Sequence, residues 1–145
     1  MTEAILLVGG YGTRLKPLTI HTPKPMLKVA GFPVTQHQIS KAKNAGIDHI
    51  VLGTAFKAEV FKTYLGDGSL MGVKLDYAYE PVQLGTGGGI RNASQFLTCG
   101  PEDPVVIFNG DVLTGVDIKN VLKIWKESNA DVALYLTKVK NPKAY

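Results

Sequence analysis

The chain has 145 residues and a formal net charge of +4, and 45% of its residues are hydrophobic whereas 19% are charged. This mixture excludes a disordered chain, which lacks apolar content, and an integral membrane chain, which concentrates it. A mild positive charge without a basic run favours an anionic small ligand over a nucleic acid. We therefore expect one globular domain that binds neither nucleic acid nor membrane, with the cytoplasm as its default location.

Short apolar runs alternate with amphipathic stretches along the chain. The amphipathic stretches carry helix signals, such as Pro33 at a first helical turn and Gly46 after a last one. The predicted strands are 5–8, 48–52, 73–79, 104–108 and 131–139. The predicted helices are 34–45, 57–65, a segment that begins near Thr86, and 116–129.

The alternation of strand and helix predicts the fold class. Strands joined through helices run parallel, and the helices cover the sheet. The run "PVVIF" at 104–108 is apolar throughout, which is typical of a central strand that is buried on both faces. We therefore expect an α/β domain with a doubly wound, mostly parallel sheet and helices on both faces.

The loops that follow the strands are where a site is expected, because ligands of such sheets bind at the carboxyl ends of the strands. The first of these loops reads "GGYGTR" at 9–14. Gly9, Gly10 and Gly12 permit positive φ and leave backbone N–H groups uncovered, and Arg14 adds a forked donor for phosphate oxygens. Neither a dinucleotide fingerprint nor a Walker loop is present. The loop is either a phosphate cradle of another type or a tight turn whose glycines serve packing.

Two further stretches hold charged residues in constrained settings. In "TPKPML" at 22–27, two prolines bracket Lys24 and fix φ on either side, so the lysine is presented rigidly. Either Lys24 binds a polyphosphate together with Arg14, or the segment is a solvated surface turn. In "FNGDVL" at 108–113, Asp111 follows a strand, and its carboxylate either binds Mg²⁺ against phosphate oxygens or caps the next turn.

Five motifs occur in order: "GGYGTRL" at 9–15, "PLT" at 17–19, "PKPM" at 23–26, "LGTGG" at 84–88 and "NGD" at 109–111. Together they resemble the sugar-1-phosphate nucleotidyltransferases, also called nucleoside-diphosphate-sugar pyrophosphorylases, over essentially the whole chain. Within that family, "LLVGGYGTRLKPLT" and "LGTGGG" look most like the mannose-1-phosphate guanylyltransferases. The resemblance implies a Rossmann-like nucleotidyltransferase fold and the conversion of GTP and mannose 1-phosphate to GDP-mannose and pyrophosphate.

The resemblance also implies roles for single residues. Arg14 and Lys24 are expected to be the catalytic pair, and Asp111 is expected to bind Mg²⁺, the implied cofactor. From its own chemistry rather than from the resemblance, Glu80 at the end of the third predicted strand either accepts hydrogen bonds from the N–H and NH₂ groups of guanine or is an ordinary surface glutamate, and Gln83 is a second candidate base contact. The full set of expected nucleotide contacts is Leu7, Gly9, Gly10, Gly12, Thr13, Arg14, Glu80, Gln83 and Gly85.

Family members have a longer catalytic domain, so residues 1–145 are expected to be its nucleotide-binding part, incomplete without the sugar-binding part and any C-terminal domain. This part alone is expected to bind nucleotide and to catalyse weakly or not at all. Its expected partners are a nucleoside triphosphate and a sugar 1-phosphate. Exposed Phe56 and Phe61 are either a subunit contact in a homo-oligomer or a face covered by another part of the domain.

Three alternatives remain open. The first is a glucose-1-phosphate thymidylyl- or uridylyltransferase, and the second is a non-catalytic regulatory module that binds a nucleotide sugar. The third is a dinucleotide-dependent oxidoreductase, which is disfavoured because Gly53-Thr54-Ala55 stands where an acidic ribose ligand is expected.

Overall fold

The computed structural model describes residues 1–141, which alternate between strands and helices. The strands are β1 (Glu3–Leu7), β2 (Lys28–Val29), β3 (Phe32–Pro33), β4 (His49–Thr54), β5 (Lys74–Tyr79) and β6 (Val105–Asn109). The α-helices are α1 (Val34–Asn44), α2 (Ala58–Leu65), α3 (Gly85–Ser94) and α4 (Ile118–Ser128). All four predicted helices and four of the five predicted strands are therefore confirmed, with bounds that shift by one or two residues.

The main sheet has the strand order β5-β4-β1-β6, and every neighbouring pair is parallel. The chain passes from β1 outward through β4 to β5 and then returns to the other side of β1 to form β6. The strand order therefore reverses at β1, and such a switch point opens a crevice at the carboxyl ends of the strands on that side, β1 and β6. β2 and β3 form a separate antiparallel pair.

The core lies between the sheet and the helices that flank it. Ile5 of β1, Val51 of β4 and Ala78 of β5 are buried together with Ala93 of α3. β4 is buried along its whole length because it has a strand on each side and α3 packed against it. The α/β class and the parallel sheet are as predicted.

Two strand predictions differ from the structure. Residues 131–139 alternate in sequence but pair with no strand among residues 1–141, and an extended segment without a hydrogen-bonded neighbour is not a strand. β6 is not buried on both faces, since Ile107 is 47% exposed. It is an edge strand of the sheet that residues 1–141 form, so Asp111 follows an edge strand and not a central one.

The prediction that Phe61 is exposed is wrong. Phe61 is fully buried on the inner face of α2, where Leu65, one helical turn later, is buried as well. Phe56 is half-buried, and its ring centroid lies 5.3 Å from that of Tyr11. Phe61 is therefore not available for a subunit contact, whereas the role of Phe56 stays a prediction.

The chain divides into two compact units, Met1–Leu113 and Thr114–Tyr145. The first contains the main sheet and α1 to α3, and the second contains α4. At the start of α4 the carboxylate of Asp117 accepts a hydrogen bond from the backbone N–H of Asn120 at 3.1 Å, which caps the helix. Among residues 1–141, none of the helices has the length and apolar composition needed to cross a membrane.

Candidate functional site

A cavity of about 430 Å³ lies at the carboxyl ends of β1 and β6. Its walls come mainly from the loop after β1, the segment around Lys24 and the loop after β6. Eight of the predicted site residues line it: Leu7, Gly10, Gly12, Thr13, Arg14, Lys24, Gln83 and Asp111. Three predicted site residues do not line the cavity that residues 1–141 form: Gly9, Glu80 and Gly85. Sequence reasoning did not select Tyr11, Pro25 and Asn109, which also line it and whose only signal is their place within the motifs.

Gly12 is the position in the first loop that requires glycine. Its φ is 61°, and a Cβ there would lie 2.9 Å from the Cβ of Lys24 and 3.1 Å from Cγ2 of Thr19. The buried hydroxyl of Thr19 donates a hydrogen bond to the carbonyl of Gly12 at 2.8 Å, and this bond stabilises the loop. The backbone around Gly12 is therefore held where it faces the cavity.

The other two glycines of this loop, which were expected only to permit positive φ, do not adopt it. At Gly9 a Cβ would lie 3.3 Å from the Cβ of Ala55, so the absence of a side chain serves close packing against the chain after β4. At Gly10 a Cβ would meet nothing within 4 Å, so the position is open toward the cavity. The loop thus combines one position with positive φ, one packing position and one open position.

Arg14 is the cation of this loop that is available to a ligand. It lies in a short 3-10 helix, Thr13–Leu15, directly after Gly12. Its side chain is exposed at the cavity, and it forms no ion pair within residues 1–141. A guanidinium in this position can offer parallel N–H donors to phosphate oxygens.

Lys24 and Asp111 form an ion pair across the cavity, with Nζ of Lys24 2.6 Å from Oδ2 of Asp111. Their side chains are 32% and 42% exposed, so water screens the attraction. A pair of this kind contributes at most about 1 kcal/mol to stability. A polyphosphate can therefore displace Asp111 from Lys24 at little cost.

A divalent cation fits Asp111 only together with a ligand that brings its own oxygens. Among residues 1–141, no group of three or more histidines, cysteines, aspartates or glutamates is placed to hold a metal ion. Mg²⁺ is usually bound by one or two carboxylates plus substrate phosphates, with water completing the octahedron. One carboxylate beside two cations that suit phosphate matches that arrangement.

Gly110 fixes the loop that carries Asp111 against the end of β1. Its N–H donates to the carbonyl of Leu7 at 2.8 Å, which continues the strand pairing by one residue beyond Asn109. A Cβ at Gly110 would lie 2.5 Å from that same oxygen and 2.5 Å from Cγ1 of Val8. The motif "NGD" therefore needs its glycine for a close approach of two backbones.

The loop between β5 and α3 is held by Glu80. This side chain is buried, and its Oε2 accepts a hydrogen bond from the N–H of Leu84 at 3.1 Å. A Cβ at Gly89 of α3 would lie 2.8 Å from the other oxygen, so the glycine leaves room for the carboxylate. Gly85, with φ of 72°, begins the helix. Of the three predicted contacts in this loop, only Gln83 lines the cavity.

A second polar cluster, which sequence reasoning did not find, lies near the amino ends of the strands. Glu3 is fully buried, and each ring nitrogen of His49 lies 2.8 Å from a carboxylate oxygen, one of Glu3 and one of Asp76. Burial raises the pKa of Glu3, but hydrogen bonds from Thr98, His49 and the backbone of Cys99 outweigh it and lower that pKa to about 2. The sequence signal for this cluster is Glu3, a glutamate that directly precedes the apolar run of β1.

A family model described as nucleotidyl transferase matches residues 3–145. The chain belongs to the nucleotidyl transferase family. Its relatives include the mannose-1-phosphate guanylyltransferase of Mycobacterium tuberculosis, 46% identical over 143 residues that cover 99% of this chain and 39% of the relative. Mannose-1-phosphate guanylyltransferase 1 of Arabidopsis thaliana is 35% identical over 144 residues, which cover 99% of this chain and 40% of the relative.

Solved structures with the same fold include a putative glucose-1-phosphate thymidylyltransferase from Bacillus anthracis, which has a TM-score of 0.75 and 27% sequence identity over a match that covers 88% of this chain and 51% of that one. HddC from Yersinia pseudotuberculosis, crystallised with GMP-PN, superposes with a TM-score of 0.73 and is 30% identical; the match covers 90% of this chain and 55% of that one. The resemblance to sugar-1-phosphate nucleotidyltransferases and the Rossmann-like fold are therefore confirmed. The chain spans 39–40% of the length of these two curated relatives.

Proposed function

We propose that this chain is the nucleotide-binding part of an enzyme that transfers a nucleotidyl group from GTP to mannose 1-phosphate, with release of pyrophosphate. One observation carries the proposal: the backbone at Gly12, the guanidinium of Arg14 and the ammonium of Lys24 line one cavity beside the carboxylate of Asp111. The names of the relatives support it, because two of them are mannose-1-phosphate guanylyltransferases.

The proposed chemistry needs no covalent intermediate. An oxygen of the sugar phosphate attacks the α-phosphorus in line with the leaving pyrophosphate, so the protein positions the two substrates and stabilises the charge that develops. Arg14 and Lys24 are the proposed catalytic residues, since both present fixed positive charge in the cavity. Asp111 and the substrate phosphates would hold Mg²⁺, which neutralises phosphate charge.

The remaining nucleotide contacts are proposed from their positions in the two loops. Leu7, Gly9, Gly10 and Thr13 lie in or beside the first loop, where backbone N–H groups suit phosphate and ribose oxygens. Glu80, Gln83 and Gly85 belong to the second loop, and we propose that Gln83 and the backbone at Gly85 contact the guanine base, whereas the buried carboxylate of Glu80, which was predicted to read the base, holds the loop from within. In support of this, Gln83 lines the cavity and the positive φ of Gly85 exposes backbone at the start of α3.

The sugar-binding part of the activity is proposed to belong to the remaining length of the relatives, of which this chain matches 39–40%. Residues 1–145 would then bind nucleotide by themselves and transfer the nucleotidyl group weakly or not at all. We propose the cytoplasm as the compartment, because it supplies the nucleoside triphosphate.

Calorimetric titration with GTP, dTTP, UTP and NAD, each with Mg²⁺, tests the proposal on the 145-residue chain. We expect GTP to bind most tightly and Arg14→Ala to weaken it by roughly tenfold to a hundredfold, because charge-assisted hydrogen bonds to phosphate are lost. Arg91→Ala is the matched control, since Arg91 is exposed on α3 and does not line the cavity. Equal GTP affinity of the two variants would contradict the phosphate role of Arg14, and a preference for NAD would favour the oxidoreductase.

A further inference from the structure

Helix α1 reaches both sides of the cavity through two buried polar side chains. The hydroxyl of Thr35 donates to the carbonyl of Pro25, directly after Lys24, at 2.9 Å. The amide nitrogen Nε2 of Gln38 donates to the carbonyl of Asn109 at 2.8 Å and to that of Val112 at 2.6 Å. The two residues are three positions apart, so they lie on the same face of the helix.

The two acceptors of Gln38 stand on either side of Asp111. Nε2 has two N–H donors, and each is used on one of these carbonyls, so the amide joins the end of β6 to the residue that follows Asp111. The N–H of Val112 also donates to the carbonyl of Asn109 at 3.3 Å, which closes the turn 109–112. Gln38 is only 5% exposed, and buried hydrogen bonds of this kind are costly to break.

The ion pair between Lys24 and Asp111 cannot hold this geometry by itself. Both side chains are exposed by about a third or more, and an exposed pair is too weak to fix two loops. Lys24 and Asp111 are 87 positions apart in sequence, and the loops that carry them are each tied to α1 by a buried side chain. The helix therefore sets the separation of the two charges.

We propose that Gln38 is a positioning residue that holds the turn 109–112 so that Asp111 faces the cavity, with Thr35 giving the same support to the segment of Lys24. The consequence for Mg²⁺ and nucleotide rests on the function proposed above for Asp111. The geometric part of the proposal, that Gln38 holds the turn 109–112, does not rest on that function, because it is a property of the ligand-free chain.

The geometric part is tested by amide hydrogen exchange in the ligand-free chain. Gln38→Met keeps the length and burial of the side chain and removes both donors, and we expect exchange at Gly110 and Val112 to become roughly tenfold faster. Gln36→Met is the matched control, because Gln36 lies on the same helix and its amide oxygen accepts from the hydroxyl of Tyr64 at 3.2 Å, outside the cavity. Unchanged exchange in Gln38→Met would overturn the proposal.

A second variant keeps the test decisive if Gln38→Met does not fold. Gln38→Asn retains an amide but is shorter by one methylene, so it cannot bridge both carbonyls. We expect a smaller acceleration of exchange at Gly110 and Val112, with the rest of the sheet protected as in the unaltered chain. The same exchange rates as in the unaltered chain would overturn the proposal.

The effect on ligand binding is measured as the Mg²⁺ factor, which is the dissociation constant of GTP without Mg²⁺ divided by that with Mg²⁺. Gln38→Met should reduce this factor roughly tenfold, and GTP affinity without Mg²⁺ should change less than this factor does, because the first loop and Arg14 are untouched and only the Lys24–Asp111 pair is affected. On an Asp111→Asn background, Gln38→Met should change nothing further. A merely structural glutamine would leave the Mg²⁺ factor unaltered, and that result would overturn the proposal. If the unaltered chain binds no nucleotide, the proposed function fails and the exchange experiment alone decides the role of Gln38.

Discussion

Gly12 combines two constraints in one residue. Its φ of 61° lies in the left-handed region, which disfavours side chains, and a Cβ would come within 3.1 Å of two neighbouring side chains. Lys24 is one of these neighbours, so the first loop and the proposed catalytic lysine lie close together, with no room for a side chain at Gly12 between them.

Gly12→Ala should lower the free energy of unfolding by about 1–3 kcal/mol, because it adds left-handed strain and a close contact with Lys24. Gly10→Ala is the matched control in the same loop, since it lacks positive φ and its Cβ would meet nothing within 4 Å. Urea unfolding of both variants measures the difference. Equal loss of stability in the two variants would mean that neither constraint at Gly12 operates.

Single residues in the motifs were predictable, but their partners were not. Lys24 and Asp111 each stood out locally, one between prolines and one after a strand. Their ion pair depends on β1 and β6 being neighbours, and that adjacency is a property of the sheet order. Likewise, three glycines in one loop do not reveal which of them has positive φ, because glycine tolerates both signs.

Near the amino ends of the strands, the polar cluster of Glu3, His49 and Asp76 links three elements. Glu3 begins β1, His49 begins β4 and Asp76 belongs to β5, so one imidazole joins carboxylates from strands on either side of it. Lys74 adds a further contact, with Nζ 2.8 Å from Oδ2 of Asp76. The backbone N–H of Cys99 also donates to Glu3, which ties the segment after α3 to the same carboxylate.

This cluster predicts a pH dependence of stability. The pKa of Glu3 is about 2 in the folded chain against a usual 4.5, so its ionised form stabilises the fold above about pH 4.5. That contribution, roughly 3 kcal/mol, is lost as the pH falls from 4.5 towards 2. Glu3→Gln should therefore be less stable than the unaltered chain at pH 6, and the gap should narrow as the pH falls.

Chemical denaturation from pH 6 to pH 3 measures the gap. Glu102→Gln is the control, because Glu102 is exposed and its substitution should shift stability little at any pH. A gap between Glu3→Gln and the unaltered chain that stays constant over this range would show that the charge of Glu3 does not stabilise the fold.

The elements themselves were predictable where the signal is local. Pro33 at the start of α1 and Gly46 after its end mark the bounds of that helix in the sequence. A strand, in contrast, requires a hydrogen-bonded neighbour from elsewhere in the chain. Residues 131–139 have the alternation of a strand without such a neighbour among residues 1–141, and the apolar run of β6 does not reveal that only one side of it is paired.

At the scale of the whole molecule, all the residues that line the cavity belong to one of the two compact units. Every residue that lines the cavity lies between Leu7 and Asp111, within the unit Met1–Leu113. That unit also contains the buried cluster of Ile5, Val51, Ala78 and Ala93, so it has a core of its own. A unit with its own core and its own site meets the conditions for folding and binding independently.

A chain cut after Leu113 should therefore fold and bind GTP with an affinity within roughly threefold of that of the 145-residue chain, because it keeps the sheet and every residue of the cavity wall. Circular dichroism with thermal unfolding checks the fold, and calorimetric titration checks the affinity. The same cut in an Arg14→Ala background should show the same relative weakening as in the longer chain, since Arg14 belongs to the retained unit. A folded 113-residue chain that no longer binds GTP, next to a 145-residue chain that does, would assign part of the nucleotide site to Thr114–Tyr145.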